Sequence, residues 1–154
     1  MNLTFQSERW AAVEEEIQPL LIKNWRETAL DHDLIPLDPN LDLYRSRDLA
    51  GQLSVVTARA SEELVGYFIN FVTPHPHYQS TLFGLMDVYF LDFKYRQAGN
   101  GLRLFQAAER DLASRGVREA IANTKVAHDM SAIFERLGWR KTAITFTKII
   151  LEAP

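Results

Sequence analysis

The stretch Tyr95-Arg96-Gln97-Ala98-Gly99-Asn100-Gly101 separates two different periodicities of this chain. An apolar and aromatic run, Phe83 to Leu91, comes before it and predicts a strand. After it, Leu104, Ala108 and Leu112 recur every four residues, which predicts a helix. A strand, a short turn with glycines and a helix N-terminus form an anion site, because glycines let backbone N–H groups approach a ligand and the helix end adds positive partial charge. We therefore expect a phosphate or pyrophosphate ligand at this turn.

The residues of the turn exclude two common phosphate-binding motifs. A nucleoside-triphosphate loop ends in Gly-Lys-Ser/Thr, whereas Gly101 is followed by Leu102 and Arg103. A dinucleotide-binding fingerprint needs a third glycine at the position where Leu104 stands. The pattern that remains is Arg-x-x-Gly-x-Gly over residues 96–101.

This pattern resembles the central motif, Arg/Gln-x-x-Gly-x-Gly/Ala, of the GCN5-related N-acetyltransferase family, which also follows a strand and precedes a helix. Downstream, Phe134-Glu135-Arg136-Leu137-Gly138-Trp139 is similar to the family's later Tyr-x-x-x-Gly-Phe segment. The resemblance covers roughly residues 50–150. It implies that the loop binds the pyrophosphate of acetyl-coenzyme A as acyl donor. The implied reaction moves the acetyl group, in a ternary complex, to a primary amine of a small molecule, a peptide N-terminus or a lysine.

One departure from the family pattern leaves an alternative open. Phe134 stands where the family usually has a tyrosine. A non-catalytic module of the same fold, in which coenzyme A binding regulates a partner, is therefore the alternative to an acyltransferase. Measured turnover of the thioester would distinguish the two.

Composition restricts the class of protein. A chain of 154 residues with 47% hydrophobic content fits one domain over 1–154. The net charge of −3 gives no basic footprint for nucleic acid, and the chain has no cysteine for a disulfide or a thiol nucleophile. No apolar run reaches membrane-spanning length and the N-terminus lacks a signal-peptide pattern, so we expect a cytoplasmic protein without a membrane partner. The sequence leaves a homodimer open.

The order of predicted elements gives the fold class. Besides 83–91, the predicted strands are residues 1–6, 52–58, 64–73, 119–123 and 143–151, with a further extended residue at Trp139. The predicted helices run from about residue 8 to 29, with a kink or a new helix at Pro19, from about 101 to 115, and from 128 or 129 to 137. Loops are predicted at 31–39 and 74–80. We expect an α/β (α+β) fold with a mixed, mostly antiparallel central sheet of six to seven strands and helices on both faces.

The resemblance also implies the residues that contact the cofactor. In the family the strand before the glycine loop splays from its parallel neighbour, and a backbone N–H there faces the thioester oxygen. Arg96 either contacts a phosphate or braces the loop. The implied contacts are Tyr89, Phe90, Leu91, Arg96, Gln97, Ala98, Gly99, Asn100, Gly101, Leu102 and Phe134.

Asp87 is the leading candidate for the catalytic base. It is an acid in the middle of an otherwise apolar strand, where a carboxylate costs free energy unless it is paired or faces a cleft. Several family members have a glutamate at the matching position. A period of two puts Asp87 on the same face as Tyr89 and Leu91. The alternatives are an acid paired with a buried arginine or one at a solvated strand end.

The family's usual acid is missing, because Phe134 has no hydroxyl. A thiolate with a pKa of about 8.5 leaves without protonation at tolerable cost. Alternatively, Tyr89 or Ser131 protonates the leaving thiolate. Phe134, without a hydroxyl, is expected to pack near the pantetheine arm of the cofactor.

The turn His75-Pro76-His77-Tyr78 gives a candidate acceptor site. In the family the loop between these strands lies near the acceptor, so His75, His77 and Tyr78 are predicted to contact the substrate. The alternative is a rigid turn braced by proline. No cysteine or acid cluster adjoins the two histidines, so we predict no metal here.

Overall fold

The computed structural model describes residues 2–151, which contain five strands, four α-helices and one short 3-10 turn. The strands are β1 (Leu3–Ser7), β2 (Leu53–Ala60), β3 (Glu63–His75), β4 (Tyr78–Leu91) and β5 (Glu119–Ile121). The helices are α1 (Trp10–Thr28), α2 (Leu41–Leu49), α3 (Asn100–Ser114) and α4 (Ser131–Arg136), and the 3-10 turn covers Phe93–Tyr95. The prediction that a strand begins at Met1 extends outside the described residues.

The strands form one sheet in the order β1-β2-β3-β4-β5. Neighbours from β1 to β4 are antiparallel, whereas β4 and β5 are parallel. The mixed, mostly antiparallel sheet is therefore confirmed, but the described residues contribute five strands rather than six to seven. The predicted strand at 143–151 is not present: the segment has no regular secondary structure, pairs with none of the described strands and is mostly exposed.

Helices cover both faces of the sheet, as predicted. On one face α1 buries Trp10, Val13 and Ile17 against strand residues such as Val55 and Tyr67. On the other face α3 buries Leu104, Phe105 and Ala108 against a second cluster from β2 and β3. At roughly 1.5–3 kcal/mol for each large apolar side chain, these two layers hold the sheet between the helices.

Several element boundaries differ from the prediction. Pro19 does not divide α1, since Ile17 and Leu20 are buried on either side of it and hold one continuous helix. Helix α2 was not predicted; the Asn40 side chain caps it by accepting a hydrogen bond of 3.0 Å from the Leu43 N–H. Helix α4 begins later than expected, at Ser131.

The hairpin between β3 and β4 is also longer than predicted. Residues 74–80 were expected to form a loop, but His75 pairs with Tyr78 and leaves only a two-residue turn. The rings of His75, Tyr78 and Phe83 pack on one another with centroid distances of 5.1–5.8 Å, which stabilises the two long strands. No helix in the described residues has the length and apolar character that a bilayer crossing requires.

Candidate functional site

A cavity of about 850 Å³ opens where β4 diverges from β5. Its walls are the second half of β4, the N-terminal turn of α3, and residues before and within α4. The lining residues that carry polar or charged side chains are Asn24, Glu27, Thr28, Asp87, Tyr89, Arg96, Gln97, Asn100, Asn123, Lys125, His128 and Arg136. Its volume lies in the usual range for small-molecule sites.

The divergence of β4 from β5 exposes backbone groups to this cavity. β5 pairs only with Phe83–Leu85, so the outer edge of β4 is unpaired from Met86 onward. The Asp92 N–H donates to Val65 O, and antiparallel bonding alternates, so the N–H groups of Tyr89 and Leu91 point away from β3 toward the open edge. The expected splay is therefore present, and it presents two backbone donors on the cavity side.

The loop before α3 has the backbone that an anion site needs. Ala98 and Gly99 have φ values of 54° and 72°, in the left-handed region, and Gly99 is the N-cap of α3. The N–H groups of Gly101 and Leu102 lie in the first turn, where a helix has no internal acceptors, and they bond to no other group within residues 2–151. A Cβ at Gly99 would meet nothing within 4 Å. The loop thus combines open space at Gly99 with free backbone N–H donors at Gly101 and Leu102.

The side chain of Asn100 holds this loop in place. Its side chain is buried and its amide nitrogen donates to Tyr95 O at 2.9 Å. The Asn100 carbonyl accepts a hydrogen bond from Arg103, one turn later in α3. The glycine motif predicts only a backbone contact at Asn100, whereas in the structure the Asn100 side chain anchors the loop through its bonds with Tyr95 and Arg103.

Arg96 braces the loop, the second of the two roles considered for it. Its guanidinium donates to Leu91 O at 2.6 Å and to Glu27 Oε2 at 2.6 Å, and it lies over the Phe90 ring at 5.5 Å. These contacts connect the end of β4 with α1 across the base of the cavity. Arg96 also lines the cavity, so a contact with a phosphate stays a prediction.

Asp87 lies on the face opposite to the predicted one. A β-bulge lets Ile69 pair with Val88 and Asn70 with Met86, so Asp87 is an extra residue without a partner on β3. The bulge interrupts the period of two, and the carboxylate turns toward α2, where it accepts a hydrogen bond of 2.5 Å from the Tyr44 hydroxyl. Tyr89, in contrast, packs on the α3 side of the sheet. No arginine pairs with Asp87 among the described residues.

The surroundings of Asp87 shift its proton affinity in the direction a base needs. Burial raises the pKa of the Asp87 carboxyl above its ordinary range, and the hydrogen bond from Tyr44 offsets part of the rise. Burial, together with the neighbouring carboxylate, also raises the pKa of Tyr44, which therefore stays a donor at neutral pH. The pair is a carboxylate held in place by one phenol.

A second, smaller cavity of about 460 Å³ meets the first at Asp87. The end of α1, the loop at residues 29–39 and Tyr44 form its walls. Five of the described residues line both cavities, namely Asn24, Thr28, Asp87, Val88 and Lys125. The carboxylate thus lies where two compartments adjoin, one beside the glycine loop and one beside the 29–39 loop.

The structure distinguishes the candidate acids by position. Tyr89 lines the cavity, and burial raises the pKa of its hydroxyl, so it is protonated at neutral pH. Phe134 lies outside the cavity wall, because its ring packs on Phe105 and Trp139 with centroid distances of 5.0 and 5.1 Å. Ser131 also lies outside the wall and donates to Asp129 at 2.6 Å. The expected packing of Phe134 against the cofactor is therefore not supported by its position.

His75, His77 and Tyr78 are not part of the site. They lie at the tip of the β3–β4 hairpin and line neither cavity. Asp87 lies nine positions after Tyr78 on β4, which is about 30 Å along a strand. The strands continue to the turn and carry these rings to the opposite end of β4, so neither cavity supports the predicted substrate contact, which stays a prediction.

Comparison of this architecture with solved structures identifies the fold. A GCN5-related N-acetyltransferase from Ralstonia eutropha JMP134 superposes with a TM-score of 0.73 at 19% identity, covering 96% of this chain and 99% of that chain. The chain has the GCN5-related N-acetyltransferase fold. Aminoglycoside acetyltransferase meta-AAC0020 from an uncultured soil metagenomic sample, in complex with sisomicin, gives a TM-score of 0.72 at 12% identity, covering 97% of each chain.

A third structure with the GCN5-related N-acetyltransferase fold contains a coenzyme A derivative. AAC(6')-Iy in complex with the bisubstrate analogue CoA-S-monomethyl-acetylneamine gives a TM-score of 0.65 at 19% identity, covering 97% of this chain and 99% of that chain. Sequence comparison finds no matching protein-family model and no matching curated protein.

Within this acetyltransferase fold, several cavity residues were missed by the sequence analysis. Tyr44 was missed because α2 was not predicted. His128 was interpreted as a helix start, but it lies before α4 and its Nε2 is 3.3 Å from Arg96 Nη1. The other cavity residues without a sequence signal are Asn24, Glu27, Thr28, Asn123, Lys125, Met130, Ile133 and Arg136. Each is an isolated polar or apolar residue whose position depends on the packing of distant elements.

Proposed function

We propose that this protein transfers an acetyl group from acetyl-coenzyme A to a primary amine. The observation that carries the proposal is a single cavity that runs from the free N–H groups of the Gly99 loop, along the open edge of β4, to the Asp87 carboxylate. The fold and the ligands of the compared structures support a coenzyme A donor and an amine acceptor. Acetyl-coenzyme A brings an activated thioester to such a site.

The glycine loop would hold the pyrophosphate of the donor. The space at Gly99 and the free donors of Gly101 and Leu102 fit an anion without rearrangement of the loop. Lys125, His128 and Arg136 line the same cavity and add cationic or hydrogen-bonding groups for phosphate oxygens. The residues present therefore fit the donor.

The open edge of β4 would polarise the thioester carbonyl. The outward N–H groups of Tyr89 and Leu91 are the available donors, and the Leu91 carbonyl is already held by Arg96. Fixed backbone donors of this kind stabilise a developing oxyanion because they need no reorganisation during the reaction.

Asp87 would accept the proton of the attacking amine, which enters through the cavity beside the 29–39 loop. Its carboxylate lies at the junction of the two cavities, and its raised pKa brings it nearer to neutral pH. Tyr89 would donate a proton to the leaving thiolate, because its hydroxyl is protonated at neutral pH and lines the donor cavity.

The experiment is a screen of amine acceptors by release of free thiol from acetyl-coenzyme A. We expect turnover with at least one amine and a loss of about 100-fold in Asp87→Asn. The matched control is Asp111→Asn. Asp111 is a similarly shielded carboxylate on α3 that lies outside both cavities and accepts hydrogen bonds from Ser54 and Arg115.

Calorimetry with acetyl-coenzyme A separates the remaining outcomes. Binding of acetyl-coenzyme A without turnover on any amine would favour the alternative function, a non-catalytic coenzyme A-binding module, over an enzyme. Absence of binding to the parent chain would overturn the proposed function altogether.

A further inference from the structure

The loop between α1 and α2, which forms one wall of the smaller cavity, is held in place by contacts with α1. The ring of His32 packs on Trp25 with a centroid distance of 4.3 Å, and His32 Nε2 lies 3.0 Å from Trp25 O. Within the loop, the N–H groups of Leu34 and Ile35 both donate to Asp31 O. The wall is therefore formed without a ligand, as is usual for small-molecule sites.

Tyr44 gives the same cavity an aromatic surface beside the carboxylate that we propose as the base. The Tyr44 ring stacks on Trp10 with a centroid distance of 4.5 Å and lies 5.9 Å from the Phe71 ring. Its hydroxyl donates to Asp87 at 2.5 Å. An amine nitrogen held at Asp87 therefore has its carbon skeleton next to a fixed aromatic ring.

Apolar side chains form most of the remaining wall. They include Leu21, Trp25, Leu30, Ile35, Leu37 and Val88. Ile35 is 57% exposed, so apolar surface at this cavity faces water, and an apolar ligand that covers it is favoured by the hydrophobic effect. The volume of about 460 Å³ is at the small end of the range for ligand sites and fits a body of about one ring.

The charged residues of the wall determine which sign of ligand charge is favoured. Among the described residues that line this cavity, Asp31, Asp38 and Asp87 oppose one cation, Lys125, which gives a net charge of −2. This excess disfavours a ligand that carries a carboxylate. Asp31 and Asp38 are exposed, so water screens them and neither offers strong pairing to a second ammonium group.

We propose that the acceptor is a small amphipathic monoamine, with one primary amine on an apolar body of about one ring and no carboxylate. The inference rests on the proposed acetyl transfer and names its substrate class. The amine nitrogen forms a bond to the thioester carbonyl carbon, and the carbon–sulfur bond breaks. Asp87 takes the proton of the amine, and the leaving thiolate takes a proton from Tyr89.

The first test compares three amines by kcat/KM at saturating acetyl-coenzyme A. Phenethylamine carries one amine on an aromatic body, L-phenylalanine adds a carboxylate to the same skeleton, and spermidine replaces the ring with further ammonium groups. We expect phenethylamine to exceed each of the other two at least tenfold. A preference for spermidine or for L-phenylalanine overturns the proposal.

The second test measures binding of the amine by calorimetry with coenzyme A in place of the acetyl donor, so that its result does not depend on turnover. Ile35→Asn should weaken phenethylamine at least fivefold and spermidine less than twofold. Ile22→Asn is the matched control, because Ile22 on α1 is 41% exposed and lines neither cavity. Unchanged coenzyme A affinity in both variants shows that they are folded. An equal loss in the two variants, or none in Ile35→Asn, overturns the proposal.

The third test concerns the carboxylates of the wall. Asp38→Asn should narrow the preference for phenethylamine over L-phenylalanine severalfold. Asp33→Asn should leave that preference unchanged, because Asp33 is exposed in the same loop but lines neither cavity. Equal effects of the two substitutions would overturn the role given to charge.

These measurements separate failure of the substrate class from failure of the proposed function. Turnover of other amines without binding of phenethylamine overturns the substrate class and leaves acetyl transfer supported. Binding of phenethylamine that Ile35→Asn weakens, without turnover of any amine, supports the assignment of the cavity and overturns acetyl transfer.

Discussion

Replacing Gly99 by aspartate tests the anion site at the residue on which it depends. Gly99 has a φ of 72° and caps α3, and the space above it is open. An aspartate side chain would enter the position proposed for the pyrophosphate. The substitution therefore adds a negative charge to the site without displacing any neighbouring atom.

The size of the effect follows from Coulomb's law. Two unit charges about 5 Å apart repel by ~3 kcal/mol at an effective dielectric constant of 20 and by ~0.8 kcal/mol in water. Even half of the upper value, about 1.6 kcal/mol, exceeds the ~1.4 kcal/mol that weakens binding tenfold. We expect calorimetry to show at least that loss for acetyl-coenzyme A, with a smaller loss at high salt because screening weakens the repulsion.

Two controls separate charge from backbone strain. Gly51→Asp places the same side chain at a φ of 70°, also with nothing within 4 Å, but before β2 and outside both cavities. Both aspartate variants pay a similar strain of about 1–2 kcal/mol in stability, and only Gly99→Asp should lose affinity. Gly99→Asn tests volume without charge and should bind more tightly than Gly99→Asp. Equal affinities of Gly99→Asp and Gly51→Asp would refute the assignment of the anion site.

Three further predictions concern the reaction and its residues. Because burial raises the pKa of Asp87, folding favours its protonated form, and the stability that this group contributes is full at low pH and is lost as pH rises through the raised pKa. The melting temperature of Asp87→Asn relative to that of the parent should therefore increase from pH 4 to pH 7. A constant difference between the two melting temperatures would contradict this. Tyr89→Phe should slow thiol release by about 10- to 100-fold with little change in donor affinity, and an unchanged rate would mean that the thiolate leaves unassisted. Phe134→Tyr should lower the melting temperature without raising the rate, because the added hydroxyl enters the aromatic cluster with Phe105 and Trp139; a faster rate would place residue 134 in the cavity after all.

The parts of the fold that the sequence predicted are those set by local rules. The turn at residues 95–101 has two glycines, one of which adopts a positive φ, between a strand pattern and a helix pattern. Helix α3 ends as expected, with Gly116 at a φ of 82° after Ser114. Such signals reside in consecutive residues and do not depend on distant partners, so the sequence alone predicts the strand, the glycine turn and the helix on this side of the cavity.

The missing edge strand has a different cause. Residues 143–151 have the β-branched and aromatic composition that favours a strand, but no strand forms there in the structure. A strand also needs a partner, and neither the identity of the partner nor the chain to which it belongs is contained in local propensity. The predicted count of six to seven strands included this segment, which pairs with none of the described strands.

The face on which Asp87 lies depends on relations between distant residues, and this explains why the period of two placed it wrongly. One unpaired residue in β4 turns Asp87 from the α3 side of the sheet to the α2 side. The bulge results from the register between β3 and β4, which period-two reasoning on one strand cannot detect. Because Asp87 faces Tyr44, the cavity that we propose for the acceptor is bounded by Tyr44 and the 29–39 loop rather than by the His75–Tyr78 turn. Substitutions that alter the choice of amine should therefore lie in residues 29–39 and α2, while the hairpin tip tolerates change.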